Sequence, residues 1–407
     1  MIALRIVRRY LAASLLLLSL VHPAQSLVGI CYDNYQIEAI HNHFQMIKQR
    51  FGAVRTFQTL NKGVNAVDAA AKAGLKIAAG VWIRANNYKA DLDAAIDGAR
   101  RHPDTVHAIF IGNEDLLGNA VSIDFVVLKV QEAKDKLKQA GLKIKIGSVQ
   151  TDGDWMRAPQ LAAICDILGV NIYPFFGGSS VSASNPIQDL DARWNTVKQQ
   201  YGDKVLLTET GWPNDGGNYG AHVSNQANAQ AYFQAFKHWV QQGNGGSIPY
   251  YFMFHDNPSK HGFERYFGLA DTSAHWKYDF ASLSGDIQAQ SPKKFQIRSN
   301  DGQIVYQNNG AVMAHKKSNE HTKDENWLYF SDTNTVVNQG NQQCLDLASD
   351  QHIQTYMCAS NNTNQQWSLR DNHLVQTSFN VCLETNQGNV AVNQCTSIAS
   401  NQQFNFE

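Results

Sequence analysis

The chain has 407 residues, 43% of them hydrophobic, and its 34 lysines and arginines against 35 acids leave a formal charge of −1 at neutral pH. That length is enough for two hydrophobic cores. The near-balanced charge is unsuited to gripping phosphates or an anionic lipid surface, which sets nucleic acid and membrane surfaces aside as partners.

Met1–Ser26 has a basic start (Arg5, Arg8, Arg9), an apolar run from Leu11 to Val21 and a small-residue exit at Ala24-Gln25-Ser26. This pattern predicts a secretory signal peptide whose apolar part is too short to span a bilayer. Its removal takes the formal charge from −1 to −4, and no later stretch has transmembrane length. From there to about Asp286, apolar runs alternate with helical patterns. Strands are predicted at Leu27–Tyr32, Ala53–Phe57, Lys76–Ile83, Val106–Gly112, Lys143–Val149, Ile167–Tyr173, Lys204–Thr208 and Ile248–Phe254, with helices such as Ala66–Ala73, Leu92–Arg101, Ile123–Ala140 and Gln226–Gln242 between them. Eight such alternations predict a (β/α)8 TIM barrel. The lysine-rich Lys134–Lys145 spans a helix end and a strand start and reads as a solvated face.

Two of these strands end in carboxylates. Val205–Pro213 reads Val-Leu-Leu-Thr-Glu-Thr-Gly-Trp-Pro, a buried strand delivering Glu209 at its C-terminal mouth, and Ala108–Glu114 delivers Glu114 in the same way. A lone glutamate at a strand end is usually a loop residue. Two at the same end of one barrel, on the fourth and seventh strands, suit acid/base and nucleophile work on a glycosidic bond. The signatures of rival chemistries are missing: no glycine-rich nucleotide loop, no His-Glu-x-x-His, no Cys-x-x-Cys and no Gly-x-Ser-x-Gly. His41 and His43 lack a third ligand and read as an exposed helix start. No metal or cofactor is expected.

Ile-Gly-Asn-Glu at 111–114 together with Thr-Glu-Thr-Gly-Trp-Pro at 208–213 closely resembles glycoside hydrolase family 17, the secreted β-1,3-glucanases. The resemblance covers Leu27 to about Tyr278 and implies Glu209 as nucleophile and Glu114 as acid/base. It also implies Arg55 holding the nucleophile ionised, Tyr173 beside it, Tyr32 at the mouth of the first strand, and Asn113 placed to bond a sugar 2-hydroxyl. Phe175, Phe176 and Trp212 are offered as floor for a sugar ring, either Phe being equally readable as core, with Lys260 and Glu264 further along the cleft. Where the family has Phe-Asp-Glu-Asn this chain has Phe254-His255-Asp256-Asn257, and Asp33-Asn34 replaces the usual Gly; both departures bear on subsites rather than on the glutamates.

The composition shifts after Pro292 to an Asn- and Gln-rich tail with little helix pattern. The division is therefore a signal peptide at 1–26, a barrel at 27–288, a linker at 289–294 and an all-β domain at 295–407. Cys344 with Cys358 and Cys382 with Cys395 have spacings of 14 and 13, as for one bridge per repeat in an oxidising compartment. Cys31 and Cys165 are left over and read as two buried free thiols in preference to a bridge. Asn326-Trp327-Leu328, Gln366-Trp367-Ser368 and Gln403-Phe404-Asn405 recur 40 and 37 residues apart. These repeats resemble the ricin-type β-trefoil lectin. Aligned on the closing aromatics, the first repeat has Ile304 and Ser318 in place of its cysteines. The second repeat alone keeps acid, aromatic and amides, so the resemblance implies a sugar site at Asp346, Gln354, Tyr356, Asn364 and Gln365; Gln365 can equally be structural. The third keeps Glu384 but has Ala391 and Asn393. Asn361 heads the only glycosylation sequon.

The sequence thus predicts a secreted, retaining endo-β-1,3-glucan hydrolase, extracellular or in a cell wall, with a second carbohydrate ligand at the trefoil. Transglycosylation by the same glutamates and non-catalytic glucan binding are the alternatives; the oligomeric state is not legible.

Overall fold

A computed structural model describes residues 27–280, 283, 292–316, 322–331, 333–359 and 362–406. The signal segment, half of the linker, Ser318 and Asn361 lie outside the described residues.

Eight parallel strands form the first sheet: β1 (Gly29–Tyr32), β2 (Ala53–Thr56), β3 (Lys76–Val81), β4 (Val106–Asn113), β5 (Lys145–Thr151), β6 (Ile167–Asn171), β7 (Val205–Glu209) and β8 (Tyr250–Tyr251). They are laddered in the order β8-β1-β2-β3-β4-β5-β6-β7. Phe252 N–H donating to Thr210 O at 2.8 Å and Leu207 N–H donating to Gly245 O at 2.9 Å draw the two ends together into a nearly closed barrel. The strands are buried along almost their whole length because helices cover the outside and side chains fill the inside. Helices α1 (Ile40–Lys48), α2 (Ala66–Ala73), α3 (Tyr88–Arg101), α4 (Ile123–Gln139), α5 (Pro159–Ile164), α6 (Pro186–Tyr201) and α7 (Gln226–Gln241) make the outer ring. Their ends follow local chemistry: Asn65 caps α2 by accepting from Val67 N–H, Gly74 closes it at φ 69°, and Ser122 caps α4.

The predicted strands are right in number and order and differ at their ends. The eighth is two residues long rather than seven, since Pro249 has no N–H and the chain leaves the ladder after Tyr251 to bond Thr210. Cys31 and Cys165 are free and buried. The exposed-helix reading holds for His41 but not for His43, which is 6% exposed and bonds the Tyr32 hydroxyl through Nδ1 at 2.9 Å.

The tail is a twelve-stranded antiparallel assembly from Lys293–Ser299 to Phe404–Phe406. Its first strand starts two residues inside the predicted linker, because Lys293 and Lys294 already pair with Tyr329 and Leu328. Threefold repetition shows in the core: Trp327 Nε1 donates to Val305 O at 3.0 Å and Trp367 Nε1 to Leu345 O at 2.9 Å, each across 22 residues. Phe404 takes the third place, with no donor to offer. Cys344–Cys358 and Cys382–Cys395 are both bridged.

One helix is unlike the rest of the ring. Outer helices of a barrel keep a wet face, yet every residue of α7 from Ala231 to Val240 is buried. The trefoil covers it. His238 stacks on Phe330 with centroids 4.1 Å apart, Gln242 donates to Gln342 Oε1 at 2.8 Å, and Asn185 at the start of α6 donates to Asn341 O at 2.8 Å. Phe330 sits in an apolar cluster with Leu328, Val337 and the Cys344–Cys358 bridge. Among the described residues, His238 with those two cysteines is also the one grouping of metal-type side chains; both sulfurs are bridged and offer no thiolate.

Candidate active site

The C-terminal ends of β2, β4, β6 and β7 converge on one cluster. Glu209, the last residue of β7, is 4% exposed, and its carboxylate accepts from three donors among the described residues. Oε1 accepts from Arg55 Nη1 at 2.5 Å and from Asn171 Nδ2 at 2.8 Å; Oε2 accepts from the Tyr173 hydroxyl at 2.6 Å. Burial works against the charge on Arg55, but the Glu209 charge beside it wins and holds the guanidinium protonated. Arg55 Nη2 donates to Asn113 Oδ1 at 2.7 Å, and its Cζ lies 4.7 Å over the Phe57 ring.

Glu114 is aimed by an unusual stretch of backbone. Gly112 has φ 80°, and a Cβ there would meet Asp115 Oδ2 at 2.1 Å. Glu114 has φ 53°, a left-handed conformation a glutamate rarely adopts, and such strain collects at functional sites. The turn is held by fully buried Asp115, which accepts from Asn113 N–H at 2.8 Å and pairs with Arg84 at 2.8 Å. Asn171 Nδ2 donates to Glu114 Oε1 at 2.8 Å. Burial first, and then the Glu209 charge, push the Glu114 carboxyl up to about 7.

One amide nitrogen therefore sits 2.8 Å from an oxygen of each glutamate, so those two oxygens lie no farther apart than twice that distance, about 5.6 Å. Paired carboxyls about 5 to 5.5 Å apart suit double displacement with retention, whereas inversion needs roughly 6.5 to 9.5 Å to seat a water. The cleft above them has a volume of about 990 Å³.

Of the residues the sequence singled out, Arg55, Asn113 and Tyr173 join the carboxylate network, and Phe176, Lys260 and Glu264 line the cleft. Tyr32, Phe175 and Trp212 do not. Tyr32 is fully buried against His43; Phe175 is fully buried with its ring 5.1 Å from Trp212; Trp212 donates its indole N–H to Val223 O at 2.9 Å. Phe175 and Trp212 pack together beside Phe176, and Tyr32 packs separately with His43, Phe44 and Phe254, because aromatics at strand ends are drawn under the loops as readily as over the substrate. His255 also lies behind the wall, fully buried among Tyr32, Tyr35 and His43, and Asp256 is tied to Lys277 at 2.6 Å. Asp33 does reach the cleft, accepting from Asn257 at 2.7 Å.

Several lining residues were not singled out. Asn171 was legible from its place two residues before Tyr173, on the same side of a strand. Trp82 (45% exposed) and Leu117 (52% exposed) follow β3 and β4 and stand as open apolar walls.

In the trefoil, Asp346 is 4% exposed and accepts from Gln354 at 3.0 Å, while Tyr356 on the facing strand is 55% exposed. Asn364 is half-buried on the following turn. Gln365 is fully buried and joins backbone to backbone, accepting from Ala359 N–H and donating to Met357 O; Gln402 does the same in the third repeat with Thr396 and Gln394. Gln365 thus belongs to the scaffold. A separate cavity of about 380 Å³ lies between the first and third repeats, lined by Asp301, Lys316 and Asn386 among others.

The profile of the BtgE/BtgC glycoside hydrolase domain matches residues 24–268. The chain belongs to that family. The BtgE/BtgC domain is followed by a match to the ricin-type β-trefoil lectin domain over residues 293–404. The chain is 29% identical over 200 residues to a probable glucan endo-1,3-beta-glucosidase of Aspergillus fumigatus, covering 43% of this chain and 44% of that one. It is likewise 29% identical over 171 residues to a probable family 17 glucosidase of Saccharomyces cerevisiae, covering 41% and 43%. The chain spans less than half the length of these curated relatives. In structure, the BtgE/BtgC barrel is similar to a glycoside hydrolase family 17 β-1,3-glucanosyltransferase from Rhizomucor miehei, with a TM-score of 0.55 at 23% identity over 64% of this chain and 99% of that one, a likeness of fold.

Proposed function

We propose that the protein is an exported β-1,3-glucan hydrolase working with retention, with Glu209 as nucleophile and Glu114 as acid/base, and that its trefoil binds a second carbohydrate. The observation that carries this is the single Asn171 nitrogen bonding both carboxylates. Glu209, held by Arg55 and Tyr173, attacks the anomeric carbon while Glu114, protonated up to about pH 7, gives its proton to the leaving oxygen. Forming the glycosyl ester removes the Glu209 charge, which was one of the causes raising Glu114, so the Glu114 pKa falls and its carboxylate stands ionised and ready to take a proton in the second step. The relatives' names supply β-1,3-glucan as the substrate class. Export rests on the signal pattern and on the two bridges; the relatives include a cell surface mannoprotein of Candida albicans.

Transfer to a second sugar is the other reading, favoured by Trp82 and Leu117, exposed apolar side chains lining the cleft that contains Glu114 and suited to an incoming ring. Incubation with laminarin and defined laminarioligosaccharides, with product sizing, separates the two: shorter products mean hydrolysis and longer ones transfer. Proton NMR should record the β anomer first, and an initial α anomer overturns the assignment.

A further inference from the structure

We propose that Asn171 is a positioning residue that decides which oxygen of Glu114 carries the catalytic proton. The inference rests on the acid/base reading above. A primary amide has two N–H hydrogens, and Asn171 Nδ2 faces three acceptors: Glu209 Oε1 and Glu114 Oε1 at 2.8 Å each, and Asn113 Oδ1 at 3.3 Å. The two glutamate oxygens, nearer than the Asn113 oxygen, take them. The amide cannot turn over, because Asn171 Oδ1 accepts from Thr208 Oγ1 at 2.8 Å; a flip would set a carbonyl against the Glu209 carboxylate and the Glu114 Oε1 acceptor, and an NH₂ against a hydroxyl. Asn171 is 2% exposed and Thr208 fully buried, and Asn171 pairs with Glu209 across the β6–β7 ladder, so side chain and backbone are both fixed.

Glu114 Oε1 is therefore occupied as an acceptor, and a carboxylic proton cannot share the space with the amide hydrogen. Oε2 takes no bond from any described residue and is left to hold the proton and face the cleft. In the first step Glu114 Oε2–H transfers its proton to the glycosidic oxygen, which receives the electron pair of the breaking C1–O bond as a Glu209 oxygen bonds C1. In the second, water gives a proton to Glu114 Oε2 while its oxygen bonds C1, and the ester pair returns to Glu209. Both steps need the proton on the same oxygen, and Asn171 fixes it there.

The test is the pH dependence of kcat/KM for Asn171→Ala and the nearly isosteric Asn171→Asp, on a laminarioligosaccharide and on its dinitrophenyl glycoside, whose leaving group needs no proton. General acid catalysis contributes roughly 10²- to 10⁴-fold. Losing its alignment should cost at least about tenfold more on the natural linkage than on the activated one. The alkaline limb should also move to higher pH, since the amide N–H favours the ionised form of Glu114, and Asn171→Asp should move it farther by adding charge. Equal losses on both substrates with an unmoved limb overturn the proposal, as does full activity; if Asn171→Ala does not fold, Asn171→Asp decides alone. Glu114→Gln run alongside tells the two readings apart. If it is not rescued on the activated substrate, the acid/base assignment fails; if it is rescued and the Asn171 variants behave as scaffold mutants, only the positioning role fails.

Discussion

Glu114→Gln should make the protein more stable, and only at pH above that of an ordinary glutamate. In the folded chain this carboxyl titrates at about 7 rather than 4.5 because it is buried beside the Glu209 charge. Below pH 4.5 it is protonated in both states and costs nothing. Between 4.5 and 7 the unfolded chain ionises while the folded one does not, and folding loses about 1.4 kcal/mol per pH unit. Above 7 the whole cost is present, about 3 kcal/mol. A neutral amide escapes it, so Glu114→Gln should match the parent at pH 4 and exceed it at pH 8 by up to about 3 kcal/mol, or roughly 6 to 12 °C in Tm for a domain of this size. Glu209→Gln should do the opposite. It leaves Arg55, 1% exposed, without its counter-charge, and breaking such a buried pair costs about 3 to 5 kcal/mol. Thermal melts of parent and both variants at pH 4, 6 and 8 are sufficient. A Glu114→Gln gain that is absent at pH 8, or as large at pH 4, refutes the placement of Glu114 beside a charged Glu209.

The same carboxyl sets the alkaline limit of catalysis: kcat/KM on unactivated glucan should fall tenfold per unit above about pH 7, read from initial rates between pH 4 and 9. Asp346→Ala in the full chain should weaken retention on insoluble glucan while leaving rates on soluble oligosaccharide unchanged, and Glu384→Ala should do neither; equal loss from both variants would remove the second-repeat site. Trp367→Phe should cost about 1 kcal/mol beyond its packing change, since the bond to Leu345 O is lost, and the third repeat already tolerates Phe404 in that place; denaturant titration reads it.

The barrel and the two glutamates were legible because each rests on local pattern: strands buried on both faces read as apolar runs, and each carboxylate follows its run directly; the trefoil was legible from its repeats and their resemblance. Arg55 and Tyr173 came with the resemblance. What was not legible depends on depth and on long-range approach. Whether Phe175 or Phe176 faces sugar is decided by one step of backbone at the 174–176 turn. Asn171 matters through contacts 57 and 38 residues away in the chain. The buried state of His43 follows from its meeting with Tyr32 and His255, and nothing in the helix pattern announces that. The short eighth strand reflects closure against Thr210, a tertiary event. The covering of α7 was equally hidden, since Lys237 and His238 look like a wet helix face until Phe330 is placed against them.

Under the proposed function, that covered helix bears on how a wall polymer would be presented to the cleft. A lectin on a slack linker wanders through a shell around its enzyme and offers every orientation in turn. Here His238 against Phe330, with the Gln242 and Asn185 bonds, fastens the trefoil like a strut. Under the proposed function, anchorage would then work as a gauge of fixed span: a polymer held by the trefoil would be cut only where a strand crosses one set offset, and reaching the next bond would require letting go. Digestion by such a molecule should proceed by release and re-landing rather than by grazing outward from a single point of attachment.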